Sequence, residues 1–113
     1  MIKFEWDENK NSKNKIKHGV SFEESVSVFY DDNALLIYDP DHSDYEDRFI
    51  IIGLSIKNSI LVVCHCCKEE NIIRIISSRK ATKGEIAQYI ERNKLWEKNT
   101  ISKKQLRIHM LNN

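Results

Sequence analysis

The sequence predicts an α+β domain in which two N-terminal helices and a C-terminal helix pack on a twisted, mainly antiparallel sheet. Three observations predict this fold class. Two capped helical segments precede residue 31, four segments rich in β-branched residues follow between positions 34 and 80, and a third helix cap begins at Thr82. The links between the four strand segments are short, which favours antiparallel neighbours. A chain of 113 residues suits one such domain with a modest core.

The helices are predicted from residues that satisfy the free backbone groups at helix ends. Asp7 can cap a first helix that runs to about residue 17, and Gly19 supplies a left-handed stop just beyond it. The second and third helices, extending to about residues 30 and 93, begin at capping boxes of the Ser/Thr-x-x-Glu form. These boxes are Ser21-Phe22-Glu23-Glu24 and Thr82-Lys83-Gly84-Glu85.

The strands are predicted from alternation and from β-branched residues. Residues 2–6 alternate apolar and polar side chains and form the first strand. Lys57 and Asn58 predict a tight hairpin turn between the third and fourth strands. The strands after the first are predicted at 34–38, 48–56, 59–66 and from residue 72 onward.

Composition limits the class of protein. Charged residues make up 31% of the chain and hydrophobic residues 41%, as in ordinary globular domains, and the apolar runs are too short to span a membrane. The N-terminus has no secretory apolar region. The odd, crowded cysteines Cys64, Cys66 and Cys67 are not a disulfide framework, so we expect a reducing cytoplasm.

Charge is distributed unevenly along the chain. Between Asp31 and Asp47 there are seven acids and no lysine or arginine, whereas from Lys68 to Asn113 there are eleven basic residues and five acids. The C-terminal half can therefore attract a polyanion, which the acidic segment would repel. A solvated surface explains the same charges equally well.

The sequence gives no sign of a metal or cofactor. Cys64 and Cys66 share one face of their predicted strand and His65 and Cys67 the other, so the strand cannot gather all four around a tetrahedral ion. With three glycines in the chain, there is no glycine-rich phosphate loop and no dinucleotide-binding fingerprint. We therefore expect no metal and no nucleotide cofactor.

Cationic side chains at the predicted fifth strand suggest a phosphate site. Arg74 lies inside an apolar run, and a guanidinium held among isoleucines must be paired or must open onto a cleft. Arg79 and Lys80 follow where the strand is expected to end. Strict alternation places positions 74 and 79 on opposite faces, so both reach one phosphate only if the strand ends, bulges or twists between them. The alternative is an ion pair at Arg74 and a solvated turn at Arg79.

Other polar and aromatic residues are weaker candidates, and each has a structural alternative. His65 is connected to the Arg74 strand through a short turn and can accept a proton, or it is simply a hydrogen-bonded structural histidine. Glu46 and Arg48 can share a strand face and can pair with Arg74 or with substrate. Trp6 either packs on the helices or stacks on a base, and His18 complements the dipole of the first helix.

Five separate segments, taken in their order and spacing along the chain, form a recognisable pattern. They are Phe4-Glu5-Trp6-Asp7, Lys17-His18-Gly19-Val20-Ser21-Phe22-Glu23-Glu24, Asp39-Pro40-Asp41-His42-Ser43, Glu46-Asp47-Arg48-Phe49 and Arg74-Ile75-Ile76-Ser77-Ser78-Arg79-Lys80-Ala81-Thr82. The pattern resembles the BrnT family, the toxins of a type II toxin–antitoxin system, which have a RelE-like ribonuclease fold. The resemblance covers residues 2–92, which predicts a toxin domain at 1–93. Residues 94–113 form an extension with a possible short helix from Ser102.

The resemblance implies an activity, partners and site residues. It implies an endoribonuclease that halts translation, is neutralised by a BrnA-type antitoxin and contacts DNA only indirectly through that antitoxin, as a homodimer or in a heterotetramer. A non-catalytic module that binds RNA or protein is the alternative. Cleavage through the RNA 2′-hydroxyl leaves the general base as His65, Glu46 or a weakly activated water. By resemblance the catalytic residues are chiefly Arg74 and Arg79, with His65 and Glu46, and substrate is bound by Lys80, Arg48, Trp6 and His18.

Overall fold

The computed structural model describes residues 1–98, with side chains through residue 94, so the predicted helix from Ser102 lies outside the described residues. Within them, five strands and three α-helices follow the predicted order, with a short 3₁₀ turn at Pro40–His42 that the sequence did not predict. The elements are β1 (Lys3–Glu5), α1 (Glu8–His18), α2 (Phe22–Val28), β2 (Leu35–Tyr38), β3 (Arg48–Leu54), β4 (Ile60–Glu69), β5 (Ile72–Lys80) and α3 (Lys83–Lys98).

The sheet has the order β1-β5-β4-β3-β2. Strands β2 to β5 form an antiparallel meander, which confirms the predicted α+β fold class. Strand β1 pairs in parallel with β5, with Phe4 opposite Ile73 and Glu5 opposite Arg74. Two helices separate β1 from the rest of the sheet, and the sequence alone did not indicate this pairing. No helix in residues 1–98 is long and apolar enough to cross a membrane.

The predicted caps are present. The Asp7 carboxylate accepts hydrogen bonds from the backbone N–H groups of Asn9 and Lys10, and Gly19 ends α1 in the left-handed region at φ 69°. The Ser21 capping box forms only by half: Ser21 Oγ accepts from the Glu24 N–H, but the Glu24 carboxylate instead accepts from Ser55 Oγ at 2.6 Å. That contact fastens α2 to the β3–β4 turn.

Two boundaries differ from the sequence prediction for local reasons. The β3–β4 hairpin has a longer loop, closed by Ser55 and Ser59 with Asn58 at φ 61°. Strand β5 runs through Arg79 and Lys80 instead of ending before them, since both have partners on β4. Arg79 is therefore a strand residue with a defined face.

The core lies between the helices and one face of the sheet. Val20, Phe22 and Val28 from the helical side pack on four strand residues, and each such buried side chain contributes about 1.5–3 kcal/mol. The strand residues are Ile51, Leu61, Val63 and Ile75.

Helix α1 covers the part of β5 that β1 does not reach. The buried Asn14 amide donates to the Ser78 carbonyl at 2.7 Å and accepts from the Ser78 N–H at 3.2 Å. A third hydrogen bond, from the Asn14 amide to the Val20 carbonyl, fixes the same side chain. One asparagine thus supplies the backbone partners that a neighbouring strand would supply.

Candidate active site

A β-bulge in β5 puts Arg74 and Arg79 on the same face. Cys64 pairs with Ser77 but His65 pairs with Ile75, so Ile76 is an extra residue on β5. The partners of Arg74 and Arg79 are Cys66 and Val62, which are four residues apart on regularly paired β4. Cross-strand partners share a face, so both arginines point away from the core. Their Cα atoms are about 13 Å apart along the strand.

This face carries a hollow of about 260 Å³. Its floor is apolar, with Ile50, Val62 and Cys64 among its residues, and polar groups ring its rim. The polar rim residues are His18, Asp39, His42, Arg48, Ser77, Ser78 and Arg79. A concave site with an apolar floor and converging cations suits an anionic ligand that also carries flat, apolar rings.

Arg79 is held in place by α3. Its two terminal nitrogens donate to the two Glu85 oxygens at 2.7 and 2.9 Å. Glu85 also completes the Thr82 capping box, accepting from the Thr82 N–H at 2.8 Å. The Arg79 hydrogen bonds are the main reason that the pKa of Glu85 falls to about 2, and Glu85 in turn raises the pKa of Arg79. The start of α3 therefore orients the guanidinium.

Arg48 enters the hollow from the start of β3. Its Nε is buried and has no hydrogen-bond partner among the described residues. A buried donor left unsatisfied costs about 1–3 kcal/mol, more when it is charged. An acceptor in the hollow would recover that cost.

Glu46 lies beside Arg48 but is already occupied. Its carboxylate accepts from Lys68 Nζ at 2.9 Å and lies 3.6 Å from the Arg48 guanidinium. The Lys68 hydrogen bond is the largest of the causes that lower the pKa of Glu46. A carboxylate with a lowered pKa is a weaker proton acceptor, which disfavours Glu46 as the base.

Of the remaining candidates Arg74 and His18, only His18 lines the hollow. Arg74 is not on the rim of the hollow; it donates to Glu5 on β1 at 3.3 Å, an ion pair of the kind expected as its structural alternative. His18, at the end of α1, does line the hollow. Asn14 brings it there by fixing α1 against β5.

The structure corrects the expectation for His65. Only 4% exposed, it faces the core side of the sheet, 4.7 Å from the Phe29 ring and stacked at 6.1 Å on Phe49. Burial lowers the pKa of this imidazole, and its Nδ1 lies 3.3 Å from the Val63 carbonyl. The sheet itself separates His65 from the hollow, because strand alternation sends it away from Cys64 and Cys66.

Trp6 and Lys80 also lie away from the hollow. Trp6 packs edge-on against Phe22 at 6.1 Å, and its indole N–H donates to Glu8 at 3.0 Å. The packing alternative for Trp6 is the observed one. Lys80 pairs with Leu61, a core residue, so its side chain leaves β5 on the face opposite to Arg79. The expectation that these two residues line the substrate site with Arg79 has no support in this geometry.

The rim also holds a histidine–carboxylate pair, His42 and Asp39, that was not predicted from the sequence. His42 Nδ1 lies 2.9 Å from the Asp39 carboxylate, at the two ends of the Pro40–His42 turn. The available signal was an Asp-Pro-x-His spacing, because proline favours the first position of such a turn and brings residues three apart together.

The cysteines contribute to the floor of the hollow and the sheet. Cys64 is half-buried and Cys66 is buried on the Arg74 face, and burial raises the pKa of both thiols. Among residues 1–98 no group of three or more His, Cys, Asp or Glu side chains is arranged to hold a metal ion.

Comparison with known proteins identifies the family. The family model described as "Ribonuclease toxin, BrnT, of type II toxin-antitoxin system" matches residues 6–85. The chain belongs to the BrnT family. The fold is similar to the crystal structure of the Brucella abortus ribonuclease toxin BrnT, with a TM-score of 0.52 and 26% identity over 74% of this chain and 100% of that chain. No curated protein matches. BrnT membership implies an RNA target and an antitoxin partner.

Proposed function

We propose that this BrnT protein is a metal-independent endoribonuclease that cuts RNA in the hollow and so inhibits translation. The observation that carries the proposal is the convergence of Arg48 and Arg79 on one concave site, with the Arg48 Nε buried and unsatisfied among the described residues. Arg48 and Arg79 share this face because their β4 partners, Cys66 and Val62, are four residues apart.

The two arginines suit phosphoryl chemistry without a metal. Guanidinium groups donate paired hydrogen bonds to phosphate oxygens and stabilise the charge that develops when the 2′-oxygen attacks phosphorus. Arg48 and Arg79 lie on different strands and flank an apolar floor on which a base can rest. Arg74, on the same face but outside the hollow, extends the cationic track for a neighbouring phosphate.

The cellular role follows from the type II family. A BrnA-type antitoxin, made with the toxin, would cover the hollow and keep it free of RNA. DNA contact would come from the antitoxin alone, within a heterotetramer or with a toxin homodimer. We place the pair in the cytoplasm, where the mRNA substrate is.

The test is cleavage of a mixed-sequence oligoribonucleotide by the purified protein, with and without EDTA. We expect cleavage that EDTA leaves unchanged, products ending in 2′,3′-cyclic phosphate, and no cleavage of the 2′-deoxy oligonucleotide. Arg79→Ala should slow cleavage by about 100-fold or more. Lys80→Ala, its neighbour on the opposite face, should slow it by much less.

Three outcomes contradict the proposal or the assignment of its active face. Cleavage that is lost in EDTA and restored by magnesium would show a metal mechanism. Tight RNA binding with no cleavage by wild-type protein would favour a non-catalytic binding module. Equal losses at Arg79 and Lys80 would contradict the assignment of the active face.

A further inference from the structure

We propose that His42, oriented by Asp39, is the general base that takes the proton from the attacking 2′-hydroxyl. The proposal rests on the ribonuclease function above and adds a residue that the sequence analysis did not select. It depends on the geometry of the turn, on the position of His42 at the rim of the hollow and on the absence of another suitable base among the described residues there.

The Asp39–His42 contact fixes the tautomer. Asp39 is largely buried and His42 is exposed, and the Nδ1 to carboxylate distance is 2.9 Å. An ionised carboxylate only accepts hydrogen bonds, so Nδ1 carries the proton. The lone pair of neutral His42 is then on Nε2, which has no hydrogen-bond partner among residues 1–98. This is the form a general base requires.

The turn is fastened to the strand that carries Arg48. The Asp39 N–H donates to the Arg48 carbonyl at 2.9 Å, and the Arg48 N–H donates to Ser43 Oγ at 3.0 Å. These two hydrogen bonds fix the position of the turn relative to the start of β3. Both also line a second, adjoining hollow of about 210 Å³, so they form the wall that the two hollows share. A phosphate on Arg48 would lie next to the imidazole.

The other described candidates are worse placed. His65 is buried on the far side of the sheet, and Glu46 is engaged by Lys68. Burial raises the pKa of the Cys64 thiol, which disfavours the thiolate at neutral pH. His18 lines the same hollow but has no carboxylate partner within hydrogen-bonding distance among the described residues. His42 alone on this rim combines an orienting carboxylate with a free ring nitrogen.

In the cleavage step, the 2′-oxygen forms a bond to phosphorus as its proton passes to His42 Nε2, and the bond from phosphorus to the 5′-oxygen breaks. The leaving 5′-oxygen takes a proton from water, and the imidazolium returns its own proton to solvent. The products are a 2′,3′-cyclic phosphate and a 5′-hydroxyl. Asp39 stabilises the imidazolium while it exists, and Arg48 and Arg79 stabilise the phosphorane charge.

The experiment compares His42→Gln, Asp39→Asn and the control Glu70→Gln, an exposed carboxylate in the β4–β5 turn that lines neither hollow. Wild-type protein and variants act on the same mixed-sequence oligoribonucleotide, and kcat, KM and RNA affinity are measured across pH. We expect His42→Gln to lower kcat by about 100-fold or more with RNA affinity kept within about threefold. Asp39→Asn should lower kcat less, and Glu70→Gln should stay within about twofold of wild type.

The pH profile separates proton transfer from a structural role. A base acts when neutral, so wild-type kcat/KM should rise with pH on the acid side, and this rise should vanish in His42→Gln. Imidazole added to His42→Ala should restore part of kcat. Charged and titratable groups facing His42 from the two hollows are Asp39, Asp41, Asp44, Tyr45, Glu46, Arg48, His18, Cys64 and Arg79.

The possible results distinguish this proposal from the one it rests on. If wild-type protein cleaves RNA and His42→Gln cleaves it equally fast with the same pH profile, the base assignment is wrong and the ribonuclease function stands. If His42→Gln loses affinity and kcat together, with no rescue by imidazole, His42 is a binding residue and the proposal fails. If wild-type protein cleaves no RNA, both proposals fail.

Discussion

At the scale of single residues, the face of the sheet on which a side chain lies decides whether it can reach the hollow. Glu85 orients Arg79 at the rim of the hollow, whereas His65 is buried beside the Phe29 and Phe49 rings on the core face. Both side chains lie within a few residues of each other across β4 and β5. Arg79 lies at the hollow and His65 lies in the core because their strand positions point to opposite faces of the sheet.

The Arg79–Glu85 pair predicts a pH dependence of stability. The pKa of Glu85 falls from its ordinary 4.5 to about 2 in the folded protein, so its contribution is present above pH 4.5 and lost as pH falls toward 2. Because Arg79 is 41% exposed, we expect this contribution to be on the order of 1 kcal/mol after solvent screening.

Urea unfolding at pH 6 and at pH 3 measures this effect. Glu85→Gln should reduce the difference in unfolding free energy between the two pH values, while keeping an acceptor for the Thr82 N–H. Glu91→Gln, an exposed carboxylate on the same helix, is the control. An unchanged pH difference in Glu85→Gln would contradict the pairing. The same variant should also lose some cleavage, because Arg79 would lose its orientation.

Three of the candidates chosen from the sequence, Arg48, Arg79 and His18, lie on the rim of the hollow, whereas Arg74 and His65 do not. The face of His65 could not be predicted, because alternation fixes a face only relative to a core whose side is not known in advance. His42 was not selected from the sequence, because its contact with Asp39 forms at a 3₁₀ turn in an acidic segment with no apolar periodicity.

At the scale of the elements, α1 has two tasks: it covers the core and closes the edge of β5. Asn14→Ala would leave the Ser78 N–H and C=O buried without partners, which costs about 1–3 kcal/mol for each lost bond. We expect Asn14→Ala to lower the unfolding free energy by about 3 kcal/mol. Asn9→Ala, on the exposed side of α1, should change it by less than about 0.5 kcal/mol.

Thermal and urea unfolding of both variants check this. A loss at Asn14 no larger than at Asn9 would show that water replaces the amide at the β5 edge. A loss of cleavage in folded Asn14→Ala protein is also expected, since His18 depends on the same helix position.

Helix α2 sits close against β3, and Gly53 makes that approach possible. An added Cβ at Gly53 would lie 2.8 Å from Val28 Cγ1 and 3.1 Å from Ala34 Cβ. Gly53→Ala should therefore cost about 1–3 kcal/mol through overpacking. At Gly84, near the start of α3, an added Cβ has only Thr82 Oγ1 within 4 Å, so Gly84→Ala should stabilise by up to about 1 kcal/mol. Opposite signs in calorimetry confirm the packing; equal signs contradict it.

The caps and most strands were predictable at this scale because their signals are local. The parallel pairing of β1 with β5 and the bulge at Ile76 were not. The parallel pairing joins residues far apart in the chain. The bulge is a single extra residue in an unbroken run of isoleucine and serine. Neither leaves a composition signal, since β-branched residues suit a regular strand and a bulged one alike.

At the scale of the whole molecule, opposite charges meet at the hollow. The acidic segment supplies Asp39 and His42 to the same rim that holds Arg48 and Arg79. A net charge of +1 therefore conceals a site of mixed charge, in which, under the proposed mechanism, cations hold the phosphate and a carboxylate orients the base. On that proposal, RNA is attracted by local charge and not by the field of the whole protein.

An antitoxin that covers this hollow should be captured with the help of charge. We expect association with the cognate antitoxin to slow by about tenfold or more from low to high salt, with a smaller change in dissociation. Arg79→Glu should slow association further, and Lys57→Glu, in the β3–β4 turn and outside the lining of the hollow, should not. Stopped-flow or surface-based kinetics measure both rates. Salt-independent association would place inhibition elsewhere on the toxin.

The asparagine closure of β5 gives the protein a natural reporter. A strand edge in a ladder exchanges its amide hydrogens only when several residues open together, whereas the Ser78 amide is shielded by one side chain from one helix. The hydrogen–deuterium exchange rate of the Ser78 amide therefore reports directly on the docking of α1 in the intact protein. RNA binding that holds His18 and α1 in place would slow that exchange, and a partner that displaces the helix would speed it.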